Sequence, residues 1–234
     1  MPGTACTGSG PRARSCKEVR TDRMTGSRNR KSTDGPATRR WAVTGGVGCG
    51  KSTVAGLLRD WGIPTLDADD VARSLLDGKH PVARRVLKEF GEEIRNPDGC
   101  VNRTRLAERV FRDPKEREKL NRLMHPAILR ECRAWIARRQ EPVAVVVIPL
   151  LHELNLEKEW DEVLCVTSRR DTALNRLRGR GWTRAEALRR MRAQLPLRIK
   201  ARRSTRVIEN NGSLEELKRS VQAAFGLNRG RKVP

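Results

Sequence analysis

Trp41-Ala42-Val43-Thr44-Gly45-Gly46-Val47-Gly48-Cys49-Gly50-Lys51-Ser52-Thr53 is the stretch on which the fold turns. Gly45 to Ser52 reads Gly, four residues, then Gly-Lys-Ser. Glycines, with no Cβ in the way, let successive backbone N–H groups converge on one anion. A helix starting directly after them adds its positive N-terminal end at the same place. Lys51 supplies a mobile cation for the outer phosphates, and the Ser52 hydroxyl can ligate Mg²⁺. The surroundings agree. Trp41-Ala42-Val43 is a short apolar piece, and Val54, Leu57, Leu58 and Trp61 recur at helical spacing. Strand, loop, helix makes this a phosphate-binding loop. Gly45, Gly46, Val47, Gly48, Cys49, Gly50, Lys51, Ser52 and Thr53 are the expected nucleotide contacts.

Working outward, the 234 residues suffice for one sizeable α/β domain. No apolar run approaches the length of a membrane span, and the N-terminus lacks the apolar segment of a signal peptide. Cys6, Cys16, Cys49, Cys100, Cys132 and Cys165 form no Cys-x-x-Cys pair, and His80, His125 and His152 do not cluster with them. Neither a disulfide framework nor a zinc site is expected, and a reduced, cytoplasmic setting is the simplest reading.

The net charge of +22 is localised. Residues 1–40 carry +7, residues 169–206 carry +12, the last six carry +3, and the remainder is neutral. Residues 1–38 hold hardly any large apolar side chain and read as a disordered basic extension. A nucleic-acid arm and a targeting peptide are functional readings of it; a dispensable extension, with Met24 as an internal alternative start, is preferred. Residues 229–234 read as a basic tail.

Ile63-Pro64-Thr65-Leu66 reads as a short strand delivering Asp67-Ala68-Asp69-Asp70. Acids at the C-terminal end of such a strand lie where α/β sheets bind ligands. They equally suit a helix start, since Val71, Ala72 and Leu75 follow helically. Residues 80–138 read as short helices, with Pro81, Pro114 and Pro126 each at a first turn. Val143 to Ile148 is a continuous β-branched run, a strand buried on both faces. Glu153 follows it, either as a functional group or as a loop acid. Val163 to Thr167 and Arg206 to Glu209 complete five strands. The fold class is therefore α/β, a doubly wound five-stranded parallel sheet. The basic segment permits three readings: a solvated face, a nucleic-acid groove, or a lid over nucleotide phosphates. Trp182 is its only aromatic, which leaves no stacking platform for single strands. Beside a phosphate loop the Arg-rich lid, with Gly179 and Gly181 as its mobile points, is preferred.

From about residue 41 to 226 the chain resembles the dephospho-coenzyme A kinases. The resemblance rests on the phosphate loop, Asp67-Ala68-Asp69, Phe90-Gly91 with Asp98-Gly99 and Arg103, and His125-Pro126. It continues through Pro149-Leu150-Leu151 with Glu153, Arg176 and Arg180, Gln194 through Lys200, and Val207-Ile208 with Asn210 and Gly212. It implies a P-loop kinase domain over 39–228, with a helical acceptor-binding insertion at about 75–135 and a lid at about 169–203. The implied reaction is phosphoryl transfer from ATP, with Mg²⁺, to the ribose 3′-hydroxyl of dephospho-coenzyme A. No membrane and no specific nucleic acid is expected as a partner, though the basic tails can hold polyanions non-specifically. Asp69 is expected as base or orienting group, with Asp67 supporting it through metal-bound water. Lys51, Arg176 and Arg180 are expected on the phosphates, Ser52 on the metal, and Asn210 and Gly212 at the adenine. The acceptor is assigned to Asp69, Phe90, Arg103, His125, Leu151 and Glu153.

The chain also departs from the family pattern. Cys49 stands where Ser is usual, Val147 where some members place Asp, and Ser204-Thr205 where Ala-Asp is usual. The rival readings are a nucleoside-monophosphate or sugar kinase, a GTP switch, and a nucleic-acid-binding protein. The absence of an Asn-Lys-x-Asp stretch counts against the switch.

Overall fold

The computed structural model describes residues 38–78 and 80–227. The expected N-terminal extension, apart from Thr38, and the basic tail lie outside these residues. Continuous β-branched runs have no polar face to offer solvent, so they must lie inside a sheet covered on both sides. The strands are β1 (Arg39–Gly45), β2 (Thr65–Asp67), β3 (Val143–Val147), β4 (Glu162–Thr167) and β5 (Arg206–Glu209). All pairings are parallel, in the order β2-β3-β1-β4-β5. The order reverses at β1, which places the loop after Gly45 at the topological switch point, where α/β sheets bind ligands.

Side chains alternate across the sheet. Trp41, Val43, Val145, Val147, Leu164 and Val166 face a core closed by α1 (Lys51–Asp60) and by α9 (Leu214–Phe225). Trp41 stacks on Phe225 with ring centroids 4.2 Å apart. Ala42, Val146 and Val163 face the opposite core, built with α2 (Ala68–Leu75), α3 (Pro81–Phe90), α4 (Arg103–Arg112) and α5 (Pro114–Ala137). The last three of these helices occupy the stretch read as an acceptor-binding insertion, and α2 leads into it. Pro126 does not begin a helix there: it lies inside α5, which runs through it. Met124, Ala127, Cys132 and Ile136 are all buried along that helix, and this burial outweighs the local cost of a missing N–H.

The basic segment folds as α6 (Arg170–Arg178), α7 (Arg184–Arg192) and α8 (Leu197–Arg202). Gly181, at φ +83°, turns the chain between the first two. Leu174, Leu177 and Ala187 form a small core with Val47, Trp182, Leu188 and Met191, so this unit is packed against the phosphate loop itself.

The turn after β3 docks on α8. His152 is fully buried, its Nε2 3.0 Å from Ser204 Oγ, while Ser204 Oγ donates to the Lys200 carbonyl at 2.8 Å. On the other side of the ring, Nδ1 lies 3.8 Å from Glu157 Oε2. Ser204 thus earns its place through His152. Thr205 Oγ1 meanwhile joins β4 and β5 by accepting from the Val163 N–H at 2.8 Å. Burial holds the His152 imidazole below its ordinary value, with the Glu157 carboxylate opposing and Arg203 and Lys200 reinforcing the shift. A depressed histidine contributes stability above its unfolded value near ~6.5 and loses it as pH falls toward the folded one. His152→Gln is therefore expected to flatten the fall in thermal midpoint between about pH 7 and 5, by at most ~1.4 kcal/mol per pH unit. An unchanged slope in thermal melts across that range removes His152 as the acid-sensitive group.

Candidate active site

The loop is shaped by what its glycines must avoid. Gly45 leaves β1 at φ +144°, and a Cβ there would strike the Val166 carbonyl on the neighbouring strand. Gly50 caps α1 at φ +97°, and a Cβ there would strike Asn210 Nδ2. Asn210, 5% exposed, is the clamp. Its amide donates to the Cys49 carbonyl at 2.9 Å and its own N–H to Thr167 O at 2.8 Å. Arg176 donates to both Asn210 oxygens, at 3.0 and 3.1 Å. One buried residue, through side chain and backbone, thus ties loop, sheet and α6 together. Gly50→Ala is expected to cost ~1–3 kcal/mol of stability through left-handed strain and the broken clamp, and to weaken ATP binding. Denaturant melts and ATP titration check this; unchanged stability contradicts the clamp.

Cys49 is buried with its Sγ 3.3 Å from Ser168 Oγ. Lys51 Nζ spans the loop, donating to Gly45 O at 3.1 Å and Gly46 O at 2.9 Å. Burial holds this ammonium below its ordinary value, and the Lys200 charge adds to the effect. Ser52 and Thr53 follow on the first turn of α1 with exposed hydroxyls that bond no described protein group.

Of the two readings of the acidic stretch, the helix start is the one visible in the fold. Asp67 ends β2 beside Val147 of β3 and caps α2, accepting from the Asp69 N–H at 2.9 Å. Asp69 opens the helix at the mouth of an apolar groove. Ala68, Ala72, His125, Ile128, Cys132 and Leu150 are among its other walls. Crowding by protein on that side, then the Asp67 charge, raise the Asp69 carboxyl above its ordinary value, while Lys51 and Arg73 pull it back. Its outer edge stays solvent-accessible. Burial also lowers His125 and pushes the Cys132 thiol up to about 11, so that thiol is no nucleophile. Among the described residues no group of three or more His, Cys, Asp or Glu forms a ready metal cage.

A second cavity lies on the other flank of the loop. Gly46, Val47 and Cys49 form one side, and Arg170, Arg192 and Gln194 face them. Arg176 is beside the loop, whereas Arg180 is exposed and has no acid partner among the described residues. At its far end α7 reaches the insertion: Arg189 and Arg190 lie 5.8 and 5.7 Å from the Phe111 ring centroid on α4.

The remaining expected contacts separate. His125 shares the groove with Asp69. Phe90 and Leu151, 1% and 0% exposed, are core residues with no face for a ligand. Glu153 turns inward, Oε1 2.8 Å from Lys200 Nζ and 3.0 Å from the Leu195 N–H. Arg103 is exposed on the first turn of α4, outside the groove lining. Gly212 packs against Glu216 in the capping box of α9. Sequence reasoning missed Phe111, the groove walls Ile128 and Leu150, and the partnership of Lys200. Leu150 and Lys200 stood in motif stretches without an assigned role, and the periodicity of α5 placed Ile128 and Cys132 on the face of His125.

A family model described as dephospho-CoA kinase matches residues 41–216. The chain is 41% identical over 190 residues to the dephospho-CoA kinase of Thermosynechococcus vestitus, covering 80% of this chain and 94% of that one. It is 40% identical over 199 residues to the enzyme of Anaeromyxobacter dehalogenans, covering 82% and 94%. A solved structure from Thermus thermophilus superposes with a TM-score of 0.69 at 36% identity, covering 81% of this chain and 97% of that one. Loop, sheet order and sequence agree: the chain belongs to the dephospho-CoA kinase family and catalyses the ATP-dependent phosphorylation of dephospho-CoA to coenzyme A.

Proposed function

We propose that the transfer takes place between the loop at 45–52 and Asp69, with the acceptor ribose laid in the groove under α5. The observation that carries this is Asp69 itself: one carboxylate at a helix start, raised above its ordinary value, faces both the loop lysine and the groove. Loop N–H groups hold the ATP phosphates, and Lys51 swings from Gly45 O and Gly46 O onto the outer ones. Asp69 accepts the proton of, or orients, the ribose 3′-hydroxyl. Its raised value brings it closer to neutrality and makes it a better base than an ordinary carboxylate.

The residues also suit Mg²⁺. The Ser52 hydroxyl, exposed and unbonded among the described residues, would supply one oxygen, and Asp67 would reach the ion through water, as suits an ion that keeps most of its waters. When bound, the ion neutralises phosphate charge. Arg176, through its hold on Asn210, keeps the loop in shape; Arg180, exposed and without an acid partner among the described residues, closes on phosphate. Asn210 and Gly212 keep their backbone at the adenine end. A cytoplasmic setting fits this chemistry. No helix among the described residues is long and apolar enough to cross a membrane.

The test is ADP release from ATP and dephospho-CoA by the full chain, wild type beside Asp69→Asn. A large loss of turnover with ATP binding kept supports the reading, and near-normal turnover contradicts it. The Phe111 contact makes a further prediction. Phe111→Ala is expected to raise the dephospho-CoA KM by ~3- to 10-fold, the scale of a lost cation–π pair, with the ATP KM unchanged. Equal effects on both substrates in steady-state kinetics would separate Phe111 from the acceptor side.

A further inference from the structure

The most deeply buried charge in the described residues is Lys200, whose side chain is 0% exposed. Its three protons meet three acceptors: Glu153 Oε1 at 2.8 Å, Pro149 O at 2.9 Å and Gln194 Oε1 at 3.4 Å. Glu153 Oε1 also accepts the Leu195 N–H at 3.0 Å. Pro149 O is further approached by Thr44 Oγ1 at 3.4 Å, one residue before the loop glycines.

These partners belong to two different walls. Pro149 and the adjoining Leu150 line the groove beside Asp69. Gln194 and Leu195 line the cavity on the other flank of the loop, facing Gly46 and Cys49. The ion pair sits behind both and is bonded to each. Buried ion pairs add little net stability, because desolvation offsets their attraction, and apolar replacements of similar volume are often neutral. What such a pair does supply is direction, since each of its hydrogen bonds has a fixed geometry.

We propose that Lys200 and Glu153 are positioning residues for phosphoryl transfer, fixing the acceptor groove relative to the wall facing the donor loop. Neither touches substrate. The inference rests on the reading that transfer occurs between the loop and Asp69, which Asp69→Asn tests separately in the same assay. Misplacement of reacting groups by about 1 Å costs on the order of 10²-fold in rate, so the pair is read through kcat rather than through binding.

Two variants of the full chain are compared with wild type for kcat, for KM of ATP and of dephospho-CoA, and for thermal midpoint. Lys200→Met with Glu153→Leu removes both charges and all the directed bonds. It is expected to melt near wild type while kcat falls by ~10- to 100-fold and the ATP KM changes by less than about 3-fold. Glu153→Gln keeps an oxygen for Lys200 and Leu195 but leaves the buried ammonium without its counter-charge, so it is expected to melt lower while the folded enzyme keeps kcat within about 3-fold of wild type. A double variant with wild-type kcat overturns the proposal. So does a rise in ATP KM that matches the fall in kcat. A loss of more than about 10-fold in Glu153→Gln also overturns it, whether or not the double variant folds. Normal turnover in Asp69→Asn would instead remove the transfer-site reading and leave these outcomes to be judged alone.

Discussion

Asp69→Asn is expected to bind ATP within about twofold of wild type and to lose kcat by ~10²-fold or more, the scale of a lost general base. The loop that holds ATP is closed by Asn210, Arg176 and its own glycines, none of which touches Asp69. Removing one carboxylate oxygen therefore leaves the donor side intact. The Asp67 cap is also kept, because it uses the Asp69 backbone N–H and not its side chain. The same variant makes a pH prediction whose sign is fixed by the raised carboxyl. In wild type, kcat/KM falls as pH drops through that raised value, because the base becomes protonated. The acidic limb lies above the ordinary aspartate value of ~3.9. In Asp69→Asn the limb disappears from the profile. A limb that persists unchanged, or near-normal turnover, would take Asp69 out of the base role.

Lys51→Met is expected to lower kcat/KM by ~10²- to 10³-fold, comparable to removing one donor from a preorganised anion site. The methylene stem is kept, so packing beneath the loop is little altered, and the loss falls on charge. Burial already holds this ammonium below its ordinary value, and phosphate arrival restores the preference for the charged form. Without phosphate the amine satisfies itself on Gly45 O and Gly46 O. Those two carbonyls lose a partner in Lys51→Met. Fluorescence or calorimetric titration with ATP, beside steady-state rates, checks the effect. A variant with wild-type kcat/KM would mean the phosphates lie elsewhere.

The parts of the fold that were legible in sequence are those specified locally. The glycine spacing from 45 to 50 fixed the loop, and the β-branched run at 143–147 fixed a central strand, because each carries its constraint within a few residues. Ser213 and Glu216, three residues apart, form the capping box that opens α9, another constraint carried locally. Pro126 misled because a proline at a first turn and a proline inside a well-buried helix look alike in sequence. Phe90 and Leu151 lie in motif stretches yet serve the core, since a motif records position and not the direction a side chain takes. Glu153 and Lys200 are 47 positions apart and belong to different elements, so no periodicity could pair them. Asn210 was expected at the adenine through its backbone, and its side chain proves to be the clamp on Cys49. The acidic stretch at 67–69 gave two readings: Asp67 caps α2, and Asp69 lines the groove on which the proposed base role rests.

Hydrogen–deuterium exchange of the full chain with each substrate alone tests the two-sided site most directly. ATP is expected to slow exchange over residues 45–53 and leave the groove unchanged. Dephospho-CoA is expected to slow exchange over residues 125–132 and 148–154, on either side of the groove that Asp69 opens. Protection of the groove by ATP, or dephospho-CoA protection confined to other segments, would contradict the placement of donor and acceptor on either side of Asp69.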